Sequence, residues 1–209
     1  MDFEVRTDRL LLRRWQPADH EPFARLNTDA EVMRYFPARL SRTESDALAG
    51  RADALFDQHG YGLWAVQRHD NDAFIGFTGL APMPSGVPGS GEVEVGWRLA
   101  RDAWGHGFAT EAATAALRVA FEQLGLAEVN SITAAINIRS IRVMERLGLR
   151  AAGEFDHPRV PAPSPRRRHV RYRADAAHFP ARAQAMSEAT SRLVRPQKAD
   201  PADAARRAR

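Results

Sequence analysis

The sequence predicts a mixed α/β fold of the α+β kind, with one mixed sheet of seven strands and helices on both of its faces. Strand patterns come first in a run, strands and helices then alternate, and the apolar period changes from two to three or four near residue 108. The chain has 209 residues, 44% of them hydrophobic, which fits one domain with an appendage. We assign residues 1–177 to the domain and residues 178–209, rich in alanine, arginine and proline, to a disordered tail.

Seven strands are predicted, and one of them rests on an unbroken alternation of apolar and polar residues, the pattern of a half-buried strand. The clearest one runs from Glu92 to Leu99, where apolar residues alternate with Glu92, Glu94, Gly96 and Arg98. The other predicted strands cover residues 9–15, 61–68, 74–83, 130–136, 149–155 and 169–173.

Four helices are predicted from apolar spacings of three and four and from signals at their ends. Ser41-Arg42-Thr43-Glu44 has the spacing of a capping box and begins a helix that Gly60 ends. The longest apolar face runs from Phe108 to Leu124 and is followed by a glycine. The other two helices cover residues 19–27 and 138–147, and the proline-containing stretches 82–91 and 157–165 are predicted loops.

Composition excludes several classes of protein. The chain has no cysteine, so disulfides, thiolate nucleophiles and cysteine metal sites are absent. No apolar run approaches the ~20 residues that span a bilayer, and the acidic start Met1-Asp2-Phe3-Glu4 shows no signal peptide. No spacing of histidine and carboxylate residues suggests a metal site. We expect a cytoplasmic protein, monomeric or homodimeric, without membrane contact.

The formal net charge of +4 is unevenly distributed. Residues 157–209 carry 13 Lys+Arg and 4 Asp+Glu, a net charge of +9, which leaves −5 for residues 1–156. The acidic part favours a cationic substrate such as an amine, through its overall field. The basic part predicts weak contacts of the tail with nucleic acid or the ribosome.

The segment that follows Leu99 has the features of a phosphate cradle. Gly105 and Gly107 open the long helix, and no acidic residue follows before Glu111. Glycines allow close approach of a ligand, and a helix N-terminus offers unpaired N–H groups with a partial positive charge. Taken alone, the glycine pair is equally consistent with a tight turn. A nucleotide-binding P-loop is excluded because Gly-Lys-Ser/Thr is absent, and Thr110 replaces the third glycine of the dinucleotide fingerprint.

Two motifs in this order resemble those of the GNAT superfamily of N-acetyltransferases. The signature Arg/Gln-x-x-Gly-x-Gly/Ala is similar to Trp104-Gly105-His106-Gly107-Phe108-Ala109, with tryptophan at the Arg/Gln position. Thr110-Glu111-Ala112, the segment 137–149 and the opening 7–13 resemble the RimJ/RimL-like branch, whose members are ribosomal-protein-alanine N-acetyltransferases and enzymes that acetylate other amines. The resemblance covers residues 7–173.

The resemblance implies a mostly antiparallel sheet of the GNAT type, acetyl-CoA as the cosubstrate, and no metal. It implies direct transfer of acetyl to a primary amine, either a protein N-terminus or a small molecule, without a covalent enzyme intermediate. The residues that it places at the cofactor are Leu99, Trp104, Gly105, His106, Gly107, Phe108, Ala109, Thr110 and Asn137.

The resemblance also bears on the departing thiolate. Many members of the superfamily place a tyrosine seven residues after the asparagine to protonate it, and here that position is Met144, which cannot donate a proton and fits a core residue. Ser140 is then the remaining candidate acid, unless no acid is needed, and it is equally consistent with a polar residue of a first helical turn. Asn137 also fits the N-cap of the same helix.

Glu94 is the leading candidate for the general base. Its strand buries the apolar face, so Glu92 and Glu94 lie on the other face, which is either a wet cleft or an ordinary solvated surface. Glu154 and Asp156 are alternative bases, whereas His157 and His169 are more simply explained as structural residues.

Two other functions remain open at this point. A small-molecule acetyltransferase would use the same cofactor site with a different acceptor. Alternatively, the protein is a non-catalytic ribosome- or nucleic-acid-binding module that docks through its basic C-terminal tail.

Overall fold

One sheet of eight strands forms the centre of the molecule, with the strand order β1-β2-β3-β4-β5-β6-β8-β7. The computed structural model describes residues 3–179. The strands are β1 Val5–Arg6, β2 Leu10–Arg13, β3 Leu63–Arg68, β4 Phe74–Pro82, β5 Val93–Leu99, β6 Glu128–Ala134, β7 Arg150–Asp156 and β8 Arg168–Asp175. Neighbouring strands are antiparallel except for the parallel pair β5–β6. The mostly antiparallel mixed sheet is confirmed, with one strand more than the seven predicted, because β1 is too short to show an alternating pattern.

Four α-helices connect the strands. They are α1 His20–Thr28, α2 Arg42–His59, α3 Phe108–Arg118 and α4 Ile138–Arg146. Short 3-10 turns precede α1 and α3, and a π-helical turn, Val119–Gln123, continues α3. The predicted capping box at the start of α2 is confirmed, since the Ser41 amide donates to the Glu44 carboxylate at 2.7 Å and the Glu44 amide donates to the Ser41 hydroxyl at 3.3 Å.

The alternation along β5 sets which helix covers which face of the sheet. Val95 and Leu99 are buried in the core cluster that α3 contributes to. The opposite face is covered by α1, whose Phe23 packs edge-on against Phe77 of β4 with ring centroids 5.9 Å apart. Each such side chain, fully buried, contributes about 1.5–3 kcal/mol to stability. The predicted placement of helices on both faces is therefore confirmed.

Strands β5 and β6 separate from one another after a single pairing. Their one registered pair is Glu94 with Asn130, and the strands run parallel from there. Their carboxyl ends, at Leu99 and Ala134, lead to the N-termini of α3 and α4. Two helix N-termini therefore stand at the same edge of the sheet, with a gap between the strands that carry them.

The loops and the chain end extend the packed structure. The predicted loop 82–91 places Met83 and Val87 against Phe155 of β7. The core continues to Phe179, two residues past the predicted domain end, and its ring lies 5.0 Å from that of Phe121. The predicted tail lies almost entirely outside the described residues. Within them, no helix is both long enough and apolar enough to cross a membrane.

Candidate active site

The turn before α3 has the geometry of an open cradle. Gly105 and Gly107 adopt φ angles of 82° and 81°, the left-handed region that favours glycine. Gly107 is the N-cap of α3 and no side chain caps this end, so the first amides of the helix have no partner within it. A Cβ built at Gly105 would meet no atom within 4 Å. The amides of Phe108, Ala109 and Thr110 therefore surround an accessible site suited to a phosphate group.

Trp104 links this turn to its surroundings. Its indole Nε1 donates a hydrogen bond of 2.9 Å to the carbonyl oxygen of Leu99, the last residue of β5. The guanidinium of Arg139, in the first turn of α4, lies 4.6 Å from the centroid of its ring. The structure thus brings together the predicted residues Leu99 and Trp104, and the tryptophan serves there to hold the end of β5, the turn and α4 in place.

An ion pair behind the turn fixes its position. The Glu111 carboxylate accepts hydrogen bonds from the Thr7 hydroxyl at 2.6 Å, from the Arg9 amide at 2.9 Å and from Arg9 Nε at 2.7 Å. Arg9 Nη1 donates in turn to the carbonyl of His106 at 2.9 Å, and its guanidinium lies 4.6 Å from the centroid of the Phe108 ring. Arg9 and Glu111 were not among the predicted site residues, although they lie within the motifs 7–13 and 110–112 that carry the resemblance.

The N-terminus of α4 is built around Asn137. Its Oδ1 accepts a hydrogen bond from the Ser140 amide at 3.3 Å, and its Nδ2 donates to the Thr133 hydroxyl at 2.9 Å. The predicted N-cap is therefore confirmed. The Ser140 hydroxyl makes no hydrogen bond within residues 3–179. Met144 is 1% exposed, as predicted for a core residue.

Glu94 lies at the point where β5 and β6 separate. Its side chain is half-buried, and this desolvation raises the pKa of Glu94 to about 7, against a smaller opposing effect of the positive charge of Arg159. A carboxyl group with this pKa can both accept and release a proton at neutral pH. The burial of Glu94 therefore supports a partly enclosed cleft on this face over a plain solvated surface.

The alternative bases lie in exposed ion pairs. Glu154 pairs with Arg168 at 2.9 Å, and Asp156 pairs with Arg167 at 3.2 Å, all on or beside the outer strands β7 and β8. His157 and His169 are buried with ring centroids 4.7 Å apart, and desolvation lowers the pKa of both imidazoles. No group of residues suited to hold a metal ion is found in the part of the chain that the structure describes.

Arg98 is the principal charged residue of this face that the sequence analysis did not assign to the site. Its Nη1 donates to Asn27 of α1 at 2.6 Å, and its guanidinium lies 3.9 Å from the ring centroid of Phe36 and 5.4 Å from that of Phe77. The alternation of β5 already placed Arg98 on the same face as Glu94, so Arg98 could have been predicted as a site residue from this pattern. What it could not show was that α1 and the loop after it would cover that arginine.

Two loops meet over the same face. Arg166, in the loop between β7 and β8, donates from Nη1 to the carbonyl of Phe36 at 2.7 Å, and Phe36 belongs to the loop between α1 and α2. Arg159 of the former loop acts on the charge of Glu94. The cleft over β5 is thus bordered by both loops and contains more positive than negative charge.

The fold and the cradle together define a class of site. Two parallel strands diverge in front of an uncapped, glycine-rich helix N-terminus, which suits a cosubstrate with phosphate groups and an extended arm. Residues 9–150 match the family model of the acetyltransferase (GNAT) domain. The chain belongs to the GNAT acetyltransferase family and is an acetyl-CoA-dependent acyltransferase.

Individual relatives agree with this assignment. The chain is 33% identical over 163 residues to an FsC-acetyl coenzyme A-N(2)-transacetylase of Aspergillus fumigatus, covering 74% of this chain and 68% of the relative. It is 30% identical over 151 residues to the uncharacterized N-acetyltransferase YnaD of Bacillus subtilis, covering 72% and 85%. Mycobacterium smegmatis RimJ, solved in complex with CoA-disulfide, superposes with a TM-score of 0.70 at 17% identity, covering 87% of this chain and 89% of that chain.

Proposed function

We propose that this enzyme transfers acetyl from acetyl-CoA to a primary amine by direct attack, without a covalent enzyme intermediate. The observation that carries the proposal is the position of Glu94. A carboxyl group with a pKa of about 7 stands on β5, the same strand that ends at the phosphate cradle. The activated acyl group and the proton acceptor would therefore be held on one strand.

The residues present fit acetyl-CoA, whose thioester supplies the activated acetyl group. The free amides at the start of α3 and the partial positive charge of this helix end would hold the pyrophosphate. Gly105 and Gly107 keep the approach open, and Arg9 with Glu111 fixes the turn from behind. Asn137, at the N-terminus of α4, would face the same cosubstrate across the gap between β5 and β6.

Two side chains of the protein would carry out the proton transfers. Glu94 accepts a proton from the incoming ammonium, directly or through water, and leaves a neutral amine that can attack. Holding the two reactants in place can supply about 7–11 kcal/mol of the rate acceleration. Ser140 would donate a proton to the departing thiolate and take up the second proton that the attacking nitrogen loses as the amide forms. Its free hydroxyl in the first turn of α4 supports this role. The chain has no cysteine that could carry the acetyl group.

The acceptor is a protein N-terminus or a small amine, as in the RimJ/RimL-like branch. Support comes from the motifs at residues 7–13 and 137–149 and from two structural neighbours. These are M. smegmatis RimJ and a ribosomal-protein-serine acetyltransferase of Vibrio cholerae, which share the fold at 17% and 16% identity.

Release of free thiol from acetyl-CoA by the purified full-length protein tests the proposal, with peptides that have free N-termini and with small amines as acceptors. Amine-dependent thiol release together with an acetylated product of the expected mass is the expected result. Hydrolysis of acetyl-CoA that no amine accelerates would contradict amine transfer.

A further inference from the structure

The face of β5 that carries Glu94 contains an open slot. Gly96 lies between Glu94 and Arg98 on this face, and a Cβ built there would meet no atom within 4 Å. Its partner on the neighbouring strand is Gly79, where a Cβ would meet the backbone of Gly62 and Leu63, so the openness of the slot is set by Gly96. The floor of the slot is therefore bare backbone, with a carboxyl group at one end and a guanidinium at the other.

The guanidinium of Arg98 has unused capacity to bind an anion. Only its Nη1 donates a hydrogen bond within residues 3–179, so Nη2 is left as a free donor, while Nε is buried without a partner. No acidic side chain pairs with Arg98 in the same residues. The protein partners that it does have are neutral, namely the Asn27 amide oxygen and the faces of Phe36 and Phe77. A desolvated cation without a counter-ion is costly, so a bound anion would stabilise it.

We propose that the acetyl acceptor is a small amine that also carries a carboxylate, with its amine at Glu94 and its carboxylate on Arg98. This inference rests on the proposed amine acetylation and names the class of acceptor. A guanidinium binds a planar carboxylate through parallel N–H···O bonds, which also orients the amine.

The spacing of the strand sets the length of the acceptor. Four residues along a strand place the Cα atoms of Glu94 and Arg98 about 13 Å apart. Two hydrogen bonds of about 2.8 Å each leave roughly 7 Å between amine and carboxylate when both side chains stand upright, and less when they lean together. Acceptors from an α-amino acid to one with several methylenes between its two groups fall within this range.

The charge around the slot also argues against a polyamine acceptor. Arg159 and Arg166, from the loop between β7 and β8, add positive charge on the side of Glu94 and Phe36. The excess of acid in residues 1–156 therefore does not describe this cleft, whose local charge favours an acceptor with an anionic group.

Pairs of acceptors that differ only in the carboxylate test the inference on the wild-type enzyme. Alanine, β-alanine and γ-aminobutyrate are each compared with their carboxamides by kcat/KM, together with O-phosphoethanolamine. We expect at least one acid to exceed its amide by about tenfold to a hundredfold, the range for a charge-assisted hydrogen bond. The amine of an α-carboxamide is less basic than that of the corresponding acid, so more of it is neutral and able to attack at a given pH. This difference favours the amide, so a preference for the acid would be stronger evidence for recognition of the carboxylate.

Substitution of Arg98 distinguishes recognition of the acceptor's carboxylate from a purely structural role of this arginine. Arg98→Met should reduce the acid-to-amide ratio to about one, mainly by raising KM for the acid, and Arg98→Lys should give an intermediate ratio. Arg51→Met, which removes an exposed arginine of α2, is the matched control and should keep the wild-type ratio. If Arg98 is only structural, Arg98→Met lowers kcat/KM equally for both members of a pair.

Different results would contradict the carboxylate site and the proposed amine acetylation. Acetylation of amides and acids at equal rates would overturn the carboxylate site and leave amine acetylation standing. Preference for O-phosphoethanolamine over every amino acid would overturn the carboxylate assignment as well. Absence of amine-dependent thiol release with all acceptors would contradict the proposed function itself.

Discussion

Burial acts in opposite ways on two charged residues of β5. It raises the pKa of Glu94 to about 7 and, with no acidic partner present, lowers the pKa of Arg98 to about 10. At neutral pH Arg98 therefore stays charged while Glu94 is close to half ionised. One strand face thus provides a fixed cation at Arg98 and, four residues away, a carboxyl group at Glu94 that exchanges its proton near neutral pH.

The proposed role of Glu94 as the general base predicts a particular pH dependence of the rate. Glu94→Gln should keep the affinity for acetyl-CoA and lower turnover by ~10²–10⁴ at neutral pH. The wild-type rate should rise with an apparent pKa near 7 as the carboxylate forms, and the deficit of the variant should shrink at high pH, where the amine is already neutral. Steady-state pH–rate profiles with one amine measure both effects. Wild-type turnover in the variant would eliminate Glu94 and direct attention to Glu154 and Asp156.

Ser140→Ala provides the contrasting profile. If Ser140 protonates the thiolate, its loss acts on the departure of coenzyme A, so the rate deficit should persist at high pH. A Ser140→Ala enzyme with unchanged kcat at every pH would show that solvent supplies this proton.

The same carboxyl group should lower the stability of the fold at neutral pH. In the unfolded chain Glu94 ionises near its ordinary pKa of 4.5, whereas in the folded protein it holds its proton up to about pH 7. Its contribution to stability is therefore complete below about pH 4.5 and is lost as the pH rises through 7. Glu94→Gln should be more stable than wild type by up to about 3 kcal/mol at pH 8 and equal to it near pH 4.5. Denaturant unfolding at the two pH values measures this, and a constant difference would contradict the assigned pKa.

At the scale of secondary-structure elements, local signals predicted the structure well. The capping box at Ser41 and the change of period at Phe108 depend on neighbouring residues, so the sequence alone specifies them. The contact of Arg9 with Glu111 joins residues 102 positions apart and depends on which strand lies beside α3. No periodicity contains that information, so the support of the cradle could not be predicted from pattern.

Gly107→Val tests the cradle. Valine at a φ of 81° is strained, and its Cβ would lie 3.5 Å from Nη2 of Arg9, which holds the turn in place. The turn and the free amides of α3 should therefore shift, and acetyl-CoA affinity should fall by at least about tenfold. Isothermal titration calorimetry measures the affinity, and circular dichroism checks the fold.

Gly125→Val is the matched control for this prediction. Gly125 also has a positive φ, 64°, and a Cβ there would meet no atom within 4 Å, but it lies beyond the other end of α3. It should therefore introduce similar strain without loss of affinity. Equal affinities in a folded Gly107→Val variant and in the control would contradict the cradle.

Across the whole protein, the division between acidic and basic sequence at residue 156 does not coincide with the end of the folded domain. Six of the 13 basic residues in 157–209 lie in the described part of the chain: Arg159, Arg166, Arg167, Arg168, Arg171 and Arg173. Several form ion pairs with Glu128, Glu154 and Asp156. Charge can be counted from a sequence, but its position in the fold cannot, and the count over residues 157–209 therefore grouped these arginines with the tail.

A truncation after Pro180 would remove a strongly basic segment of the chain. Residues 181–209 carry seven basic and three acidic residues, so the remaining chain has a formal net charge of zero. Basic residues that bind phosphates release counterions from the nucleic acid, and this release favours binding. Without the basic segment, binding to nucleic acid at low salt should therefore fall strongly. All described residues remain, so acetyl-CoA affinity and the melting temperature should stay unchanged. By contrast, Phe179→Ala in the full chain should lower the free energy of unfolding by about 3 kcal/mol, because this ring is 5% exposed and packs on Phe121. Filter binding with duplex DNA and thermal melts of both variants distinguish the two roles. Retained DNA binding in the truncated protein would place that binding on the arginines of β8, and a lowered melting temperature would make residues 181–209 part of the fold.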